Sequence, residues 1–254
     1  MFGLRNQRGS CWINAALQGV FRIPELQKRF ADNQEDQKNA VEVCLAEVYG
    51  SKGEEGLKDF YECVKTKTMP AGEDVGDSHE LLDFLCDKVP FLDKLMRFNV
   101  GHYLKCSHCD YNVTRKDTVT EFEITPSRPK MSVSEAIVES VRPFEVEDWK
   151  CEKCSRKGCT KQLLMSSFPD VLVFHLTSMD TSVTYSAQLT LNGNTYALLA
   201  IICYNGAHWD TYGRDMPPGQ PWYHFNDNHV QSFDPKAFPL VDRMRLLMYY
   251  RIKE

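Results

Sequence analysis

The segment NQRGSCWINAALQ places one cysteine, Cys11, at the start of an amphipathic helical pattern. A thiol at a helix N-terminus faces unpaired backbone N–H groups and the positive end of the helix dipole, which lowers its pKa and favours the nucleophilic thiolate. Asn6 lies five residues upstream, where its side-chain amide and the Cys11 backbone N–H could together stabilise a tetrahedral oxyanion. The segment therefore predicts either a nucleophilic cysteine or an ordinary cysteine in a capped helix.

A thiolate nucleophile requires a histidine and a group that orients it, and both can be distant in the sequence. Of the seven histidines, His208 follows the apolar segment YALLAIICY and a short turn. The next segment, WYHFNDNHV, is predicted to pair with it as a hairpin and to bring Asn226 or Asp227 beside the imidazole. We expect that side chain to accept the Nδ1–H bond and to leave Nε2 facing the thiol. Without a thiol partner, His208 would be a surface histidine of a strand.

Four of the ten cysteines form two CxxC pairs, Cys106 with Cys109 and Cys151 with Cys154. This spacing is typical of a zinc ribbon with four thiolate ligands. Four thiolates leave no open coordination position, so the predicted Zn²⁺ is structural and not catalytic. The remaining cysteines other than Cys11 are expected to be small buried hydrophobic residues.

These residues are distributed over a chain that changes character near residue 100. In the first part, apolar residues recur at steps of three and four over 13–21, 41–48 and 81–85, which predicts packed helices. The second part contains strand-like segments, and Ser132–Val141 has the spacing of a capped helix among them. The predicted strands are VTEFEI (119–124), VLVFHL (171–176), QLTL (188–191) and YALLAIICY (196–204). The simplest architecture is α+β, with the site in a cleft between a helical and a sheet-rich lobe.

Composition narrows the class of protein. The 254 residues are 43% hydrophobic and carry a net charge of -5, which argues for a globular domain and against a broad basic face for nucleic acid. No apolar run approaches the length of a membrane span, and the N-terminus lacks the pattern of a signal peptide. We therefore expect an intracellular monomer in the cytoplasm or nucleus, with no nucleic-acid or membrane partner.

Four segments, in order, resemble the conserved boxes of the ubiquitin-specific proteases. GLRNQRGSCWINAALQ is similar to the cysteine box, and GDSHELLDFLCD resembles the second box, in which an Asp-x-Gln/His-Glu motif opens a helix. WKCEKCSRKGCTKQLLMSSFPDVLVFHL looks like the stretch that carries a CxxC pair and ends in an apolar strand. GAHWDTYGRD and WYHFNDNHV are similar to the histidine box and its continuation. Together the four segments span nearly the whole chain.

The resemblance implies a papain-like fold with a helical thumb over about residues 1–99, zinc-ribbon fingers over about 100–165 and a β-rich palm over about 166–254. It also implies hydrolysis of the bond after the C-terminal glycine of ubiquitin. The implied catalytic residues are Cys11 as nucleophile, Asn6 as oxyanion donor, His208 as base and Asn226 as the orienting residue, with help from Asp227. The implied substrate-binding residues are Asp77, Glu80 and Trp209.

The chain departs from the family pattern where substrate is bound. Ala207 stands before the histidine in place of the usual glycine, and Leu176 is followed by Thr177-Ser178-Met179 in place of Lys-Arg-Phe. The segment Asp180–Ser186 is also short. Two alternatives therefore remain beside a deubiquitinase, which are a protease for another ubiquitin-like modifier and a catalytically inactive, zinc-stabilised ubiquitin-binding module.

Overall fold

The structure is a computed structural model that describes residues 1–32, 39–68, 76–128, 130–177, 183–234 and 243–252. Six of its helices precede residue 97, as the helical periodicity predicts, and the seventh lies among the strands. The helices are α1 (Cys11–Val20), α2 (Pro24–Ala31), α3 (Ala40–Gly50), α4 (Leu57–Thr68), α5 (Ser78–Lys88), α6 (Pro90–Met96) and α7 (Val133–Ser140). Among the described residues, no helix is long and apolar enough to cross a membrane.

The strands form three sheets. They are β1 (Phe98–Cys106), β2 (Asn112–Val119), β3 (Phe122–Ile124), β4 (Met131–Ser132), β5 (Phe144–Lys150), β6 (Lys157–Met165), β7 (Val171–Leu176), β8 (Val183–Thr184), β9 (Gln188–Leu191), β10 (Asn194–Tyr204), β11 (Trp209–Gly213), β12 (Trp222–Asn226), β13 (His229–Phe233) and β14 (Met244–Arg251). The large sheet has the order β13-β12-β11-β10-β14-β7-β3, with β9 beside β10. A second sheet has the order β2-β1-β6-β5, and β4 pairs with β8.

Helix α1 is the centre of the helical lobe, and all ten of its residues are buried. It packs against the large sheet, where Thr211 Oγ1 donates a hydrogen bond of 2.7 Å to the Ala15 carbonyl. The approach is close at Gly19, because a Cβ there would lie 2.6 Å from Met248 Sδ. The helix that begins with Cys11 is therefore fixed against the strands that carry the histidine.

The central strands of the large sheet, β7, β10 and β14, are buried on both faces, which explains why they are almost wholly apolar. Alternate residues point to opposite sides. In β7, Val171 and Val173 face the helical lobe, whereas Leu172 and Phe174 face a second core that contains α7. The α+β fold predicted from the sequence is confirmed, with the large sheet forming the palm below the helical lobe.

The smaller sheet of β1, β2, β5 and β6 extends away from the palm and is largely exposed along β2 and β5. Between its two halves the chain returns to the palm, since β3 pairs in parallel with β7 and α7 packs on the far face of the large sheet. Helix α7 carries the predicted capping box between Ser132 and Glu135. The finger-like sheet is therefore not one continuous segment of the chain.

Candidate active site

Cys11 is the first residue of α1 and is preceded by a tight polar loop. The loop turns through positive φ at Arg8 (50°) and Gly9 (79°). Asn6 Oδ1 accepts a hydrogen bond of 3.2 Å from the Ser10 N–H, and Ser10 Oγ accepts one of 2.8 Å from the Gln7 N–H. These bonds hold the loop in the conformation that places the thiol, which is only 5% exposed, at the helix N-terminus.

The pKa of Cys11 is raised, not lowered as the sequence predicts. Burial raises the pKa of this thiol, the backbone N–H of Trp209 lowers it in part, and the negative charge of Asp227 raises it further. Burial outweighs the helix N-terminus because it removes the water that would solvate a thiolate. Cys11 is therefore a thiol that needs a base. The Trp209 N–H at its sulfur places it beside His208, the preceding residue.

His208 ends the loop between β10 and β11. Asn205 Oδ1 accepts hydrogen bonds from the N–H groups of Ala207 (3.0 Å) and His208 (2.8 Å), which fixes this turn. His208 Nε2 lies 2.8 Å from Asn226 Oδ1. An amide oxygen only accepts hydrogen bonds, so Nε2 carries the proton and Nδ1 is the basic nitrogen. The ring orientation is therefore the reverse of the one predicted, because Nε2 contacts Asn226 on β12 and Nδ1 is left as the basic nitrogen.

The orienting group lies on a hairpin and not on a single strand, since WYHFNDNHV folds into β12, a two-residue turn and β13. Asn226 is the last residue of β12 and makes the direct bond to His208. Asp227 occupies the turn with a φ of 52°, and its Oδ2 is 3.8 Å from His208 Nε2. The geometry therefore gives the orienting contact to Asn226 and a different task to Asp227.

The Asp227 carboxylate joins three parts of the chain. It accepts hydrogen bonds from Asn6 Nδ2 (2.9 Å) and from Asn14 Nδ2 (2.7 Å). Asn14 Nδ2 also donates to the Leu4 carbonyl at 3.2 Å, and its Oδ1 accepts from the Tyr61 hydroxyl. These hydrogen bonds connect the polar loop before Cys11, helix α1 and the β12–β13 hairpin.

Asn14 and Tyr61 were not predicted as site residues. Asn14 lies one turn after Cys11, is 2% exposed, and is with Gln18 one of two polar amides in a helix whose other residues are apolar or small. A buried amide requires hydrogen-bond partners, and that requirement is the sequence signal that could have identified it. Tyr61 gives no such signal, since its position in α4 fits an ordinary core aromatic residue.

The predicted substrate-binding residues occupy three different settings. Asp77 is the N-cap of α5 and accepts a hydrogen bond of 3.1 Å from the His79 N–H, and Glu80 completes the capping box. Both carboxylates lie at the surface near the end of that helix. Trp209, in contrast, is 3% exposed and stacks on Tyr204 with ring centroids 4.7 Å apart. Its ring belongs to the core, and its contribution to the site is the backbone N–H that faces Cys11.

The four predicted metal ligands come together at the tip of the smaller sheet. Cys106 Sγ lies 3.7 Å from Cys154 Sγ, Cys109 Sγ lies 3.7 Å from Cys151 Sγ, and all four sulfurs are within 4.8 Å of one another. Four sulfurs bound tetrahedrally to zinc at about 2.3 Å are about 3.8 Å apart. The residues therefore fit a tetrahedral ion, and this cluster could bind a metal. All ten cysteines of the chain are free thiols.

A concavity of about 900 Å³ opens between α5, the smaller sheet and β3. Its walls include Asp83 and Asp87 from the helix, His102 from β1 and Glu121 next to β3. Acidic side chains are thus prominent on one wall. Residues 178–182, which lie within the predicted departures from the family pattern, are outside the described residues.

A buried thiol at a helix N-terminus contacts the N–H of Trp209, the residue that follows a histidine held by an amide, and this arrangement is typical of a thiol hydrolase. The sequence profile of the family described as ubiquitin carboxyl-terminal hydrolase matches residues 2–249. The chain belongs to that family.

Curated relatives have similar descriptions but are much longer. The chain is 27% identical to ubiquitin carboxyl-terminal hydrolase 47 of Drosophila melanogaster over 225 aligned positions, which cover 75% of this chain and 14% of that protein. It is 24% identical to ubiquitin carboxyl-terminal hydrolase 7 of the same organism over 277 aligned positions, which cover 91% of this chain and 24% of that protein. The chain therefore spans about a quarter or less of the length of these relatives.

Solved structures match the whole fold. The chain superposes with a TM-score of 0.83 and 16% identity on the SAGA DUB module of Ubp8, Sgf11, Sus1 and Sgf73 bound to monoubiquitin, covering 100% of this chain and 69% of that one. The match to the same module bound to ubiquitin aldehyde also has a TM-score of 0.83, with 70% of that chain covered. The predicted fold of thumb, palm and fingers is thereby confirmed.

Proposed function

We propose that this chain is a deubiquitinase that hydrolyses the isopeptide or peptide bond after the C-terminal glycine of ubiquitin, with Cys11 as nucleophile. The observation that carries the proposal is the contact of His208 Nε2 with Asn226 Oδ1 at 2.8 Å, beside a buried thiol. An inactive binding module has no chemical need for an oriented base at that position. Family membership supplies the substrate class.

The reaction begins with proton transfer from the Cys11 thiol to His208 Nδ1. The sulfur attacks the carbonyl carbon of the substrate's terminal glycine, and the resulting imidazolium protonates the leaving lysine amine as the C–N bond breaks. The same nitrogen then takes a proton from water as the water attacks the thioester. The C–S bond breaks to release the glycine carboxyl group, and the imidazolium returns its proton to the Cys11 sulfur. Asn226 stabilises the ring in the orientation that each proton transfer requires.

The oxyanion of each tetrahedral intermediate is proposed to be stabilised by the Cys11 N–H and the Asn6 amide. Asn6 Nδ2 has two hydrogens and donates one of them to Asp227 at 2.9 Å, which leaves the second for the oxyanion. Asp227 and Asn14 act on this step by positioning Asn6. Loss of one such donor costs about 100- to 1000-fold in turnover in related chemistry.

Substrate is proposed to bind along α5 and in the concavity. Asp77 and Glu80, at the start of α5, suit the arginines of the ubiquitin tail because carboxylates form charge-assisted hydrogen bonds with guanidinium groups. The concavity of about 900 Å³ is proposed to form part of the surface that contacts ubiquitin. The cysteine cluster is proposed to hold a structural Zn²⁺ that stabilises the tip of the smaller sheet.

The test is a ubiquitin probe with a C-terminal electrophile. The wild-type chain should form a covalent adduct at Cys11, and Cys11→Ala should lose both the adduct and hydrolysis while still binding ubiquitin. Probes of other ubiquitin-like modifiers belong in the test because the segment after Leu176 departs from the family pattern. If such a probe labels Cys11 and the ubiquitin probe does not, the substrate is that modifier. Labelling by neither probe, in a folded chain, would contradict the enzyme assignment.

A further inference from the structure

Outside the candidate active site, three side chains of metal-ligand type converge from separate elements. His79 lies in the first turn of α5, His175 lies in β7, and Glu121 directly precedes β3. Strand pairing brings them together, because β3 runs parallel to β7 with Glu123 beside His175. The Nδ1 atoms of His175 and His79 lie 2.9 Å and 3.2 Å from the same Glu121 Oε1. The two rings stack with centroids 4.8 Å apart.

The spacing of these atoms fits a small divalent ion. Ligand atoms bound tetrahedrally at about 2.0–2.1 Å are about 3.4 Å apart. The two nitrogen-to-oxygen distances of 2.9 Å and 3.2 Å are close to that value, and the three ligand atoms all lie within 4.8 Å of one another. Two imidazoles and one carboxylate form a donor set that zinc and other transition ions accept.

One carboxylate oxygen of the cluster also lacks a protein partner among the described residues. The side chains of Glu121 and His175 are 11% and 14% exposed, and Glu121 Oε2 is buried without a hydrogen-bond partner among the described residues. Buried carboxylate oxygens are normally paired. The carboxylates of Asp77 and Glu80 act electrostatically on His79 and add to the negative potential. His79, which is 30% exposed, leaves a path from solvent.

We propose that His79, Glu121 and His175 form a second metal site, which takes a divalent transition ion of the Zn²⁺ class through two imidazole nitrogens and one carboxylate oxygen. Three protein ligands leave a fourth position open for water or an added ligand, unlike the four-thiolate cluster. Glu121 also lines the concavity, so the ion would lie in its wall and tie α5 to the large sheet. Metal binding here does not depend on the proposed hydrolytic activity.

The test uses the full chain with its cysteine cluster first loaded with Zn²⁺, and Co²⁺ as the probe. Titration should show one further equivalent of Co²⁺ with visible d–d bands and without the thiolate-to-cobalt charge-transfer band that cobalt in the cysteine cluster would give. His79→Gln and Glu121→Gln each remove a ligand and should weaken this binding by at least about 100-fold, because losing a group that only orients a ligand already costs about 10- to 100-fold in metal affinity.

A matched control is His102→Gln. His102 Nε2 lies 3.0 Å from Asp117 Oδ2 and is also 30% exposed, but it belongs to no cluster of three metal-ligand side chains among the described residues. This variant should bind Co²⁺ like the wild type. Absence of a second equivalent, or equal loss in all three variants, would overturn the proposal and leave the cluster as an ion pair between histidines and a glutamate. Both results come from metal titrations without substrate, so neither bears on the deubiquitinase proposal.

Discussion

Asp227 is the residue at which most polar contacts of the candidate site meet. Its carboxylate accepts from Asn6 and Asn14, and its backbone carbonyl accepts a hydrogen bond of 2.9 Å from the Leu4 N–H. It does so at a φ of 52°, a left-handed conformation that aspartate adopts more readily than most residues. The side chain and the backbone of Asp227 thus hold the polar loop before Cys11 against the β12–β13 hairpin, whose Asn226 contacts His208.

Replacing Asp227 should therefore cost stability as well as activity. Asp227→Ala removes the acceptor of the exposed Asn6 amide and of the buried Asn14 amide. Because the Asn14 donor is buried, we expect the free energy of unfolding to fall by about 1–3 kcal/mol. Asn226→Ala changes an exposed side chain and should alter stability by no more than about 0.5 kcal/mol while slowing hydrolysis. Urea unfolding and turnover of a fluorogenic ubiquitin substrate measure the two effects. Equal stability of Asp227→Ala and wild type would show that these bonds are energetically neutral.

The raised pKa of Cys11 has a consequence for its pH dependence. A group whose pKa is raised stays protonated to higher pH, so the thiolate forms only above the usual range unless a base removes the proton. In His208→Ala, alkylation of Cys11 should rise with pH to a midpoint above the value of about 8.5 for a free cysteine. Mass spectrometry of the Cys11 peptide gives the profile. A midpoint below 8.5 would mean that the helix N-terminus outweighs burial.

The sequence predicts which residues react but not their physical state. Cys11 and His208 are predicted from a helix start and a strand end, and the Trp209 N–H that contacts the Cys11 sulfur belongs to the residue after His208. The pKa direction and the ring orientation of the histidine were wrong. Both depend on what surrounds the residue from distant segments, namely the burial of the thiol and the reach of Nε2 to Asn226, and neither is encoded in local spacing.

At the scale of elements, the strand patterns were the most reliable signal. VLVFHL is β7 without a change of boundary, and YALLAIICY lies within β10. Such continuous apolar runs identify strands that are buried on both faces. The pattern of WYHFNDNHV predicts one strand and not the observed hairpin, because the turn at Asp227 and Asn228 contains no glycine. Turn residues without glycine give a weaker signal.

The cysteine cluster is the element-level feature with the clearest test. Replacing Cys151 and Cys154 together by serine should release Zn²⁺ and destabilise the tip of the smaller sheet, since a structural ion contributes directly to folding. Metal content by atomic absorption and limited proteolysis within residues 106–157 measure the two effects.

Cys159 provides the control for this experiment. It is fully buried on β6 and pairs in register with Cys106, but it is not one of the four clustered thiols. Cys159→Ala should retain the metal. Loss of zinc from Cys159→Ala, or its retention in the double variant, would show that the ligand set has been assigned incorrectly.

At the scale of the whole molecule, the first residues of the chain pack against its last third. A Cβ at Gly3 would lie 2.5 Å from the carbonyl oxygen of Asn228, so only glycine allows this backbone contact. The glycine of the GLRN motif is explained by this approach. It allows Leu4 to reach Asp227 and completes the link between the N-terminal loop and the β12–β13 hairpin.

Gly3→Ala should consequently separate the two segments and reduce hydrolysis at least about tenfold, because a displacement of about 1 Å at a catalytic group costs up to about 100-fold. Gly50→Ala is the matched control, since a Cβ at Gly50 meets nothing within 4 Å. Turnover of both variants measures the effect on activity, and thermal unfolding measures the effect on stability. Full activity of Gly3→Ala would show that the hairpin accommodates the extra carbon by moving without affecting His208.

The link between the chain's beginning and its last third also determines when the thiol acquires its base during synthesis. Cys11 emerges from the ribosome about 200 residues before His208 and Asn226. At about 5–20 residues per second, the nascent chain carries the cysteine without its histidine for about 10–40 s. The proposed nucleophile therefore lacks its proposed base until the last strands are made, and a truncated product that ends before His208 would contain Cys11 without that base.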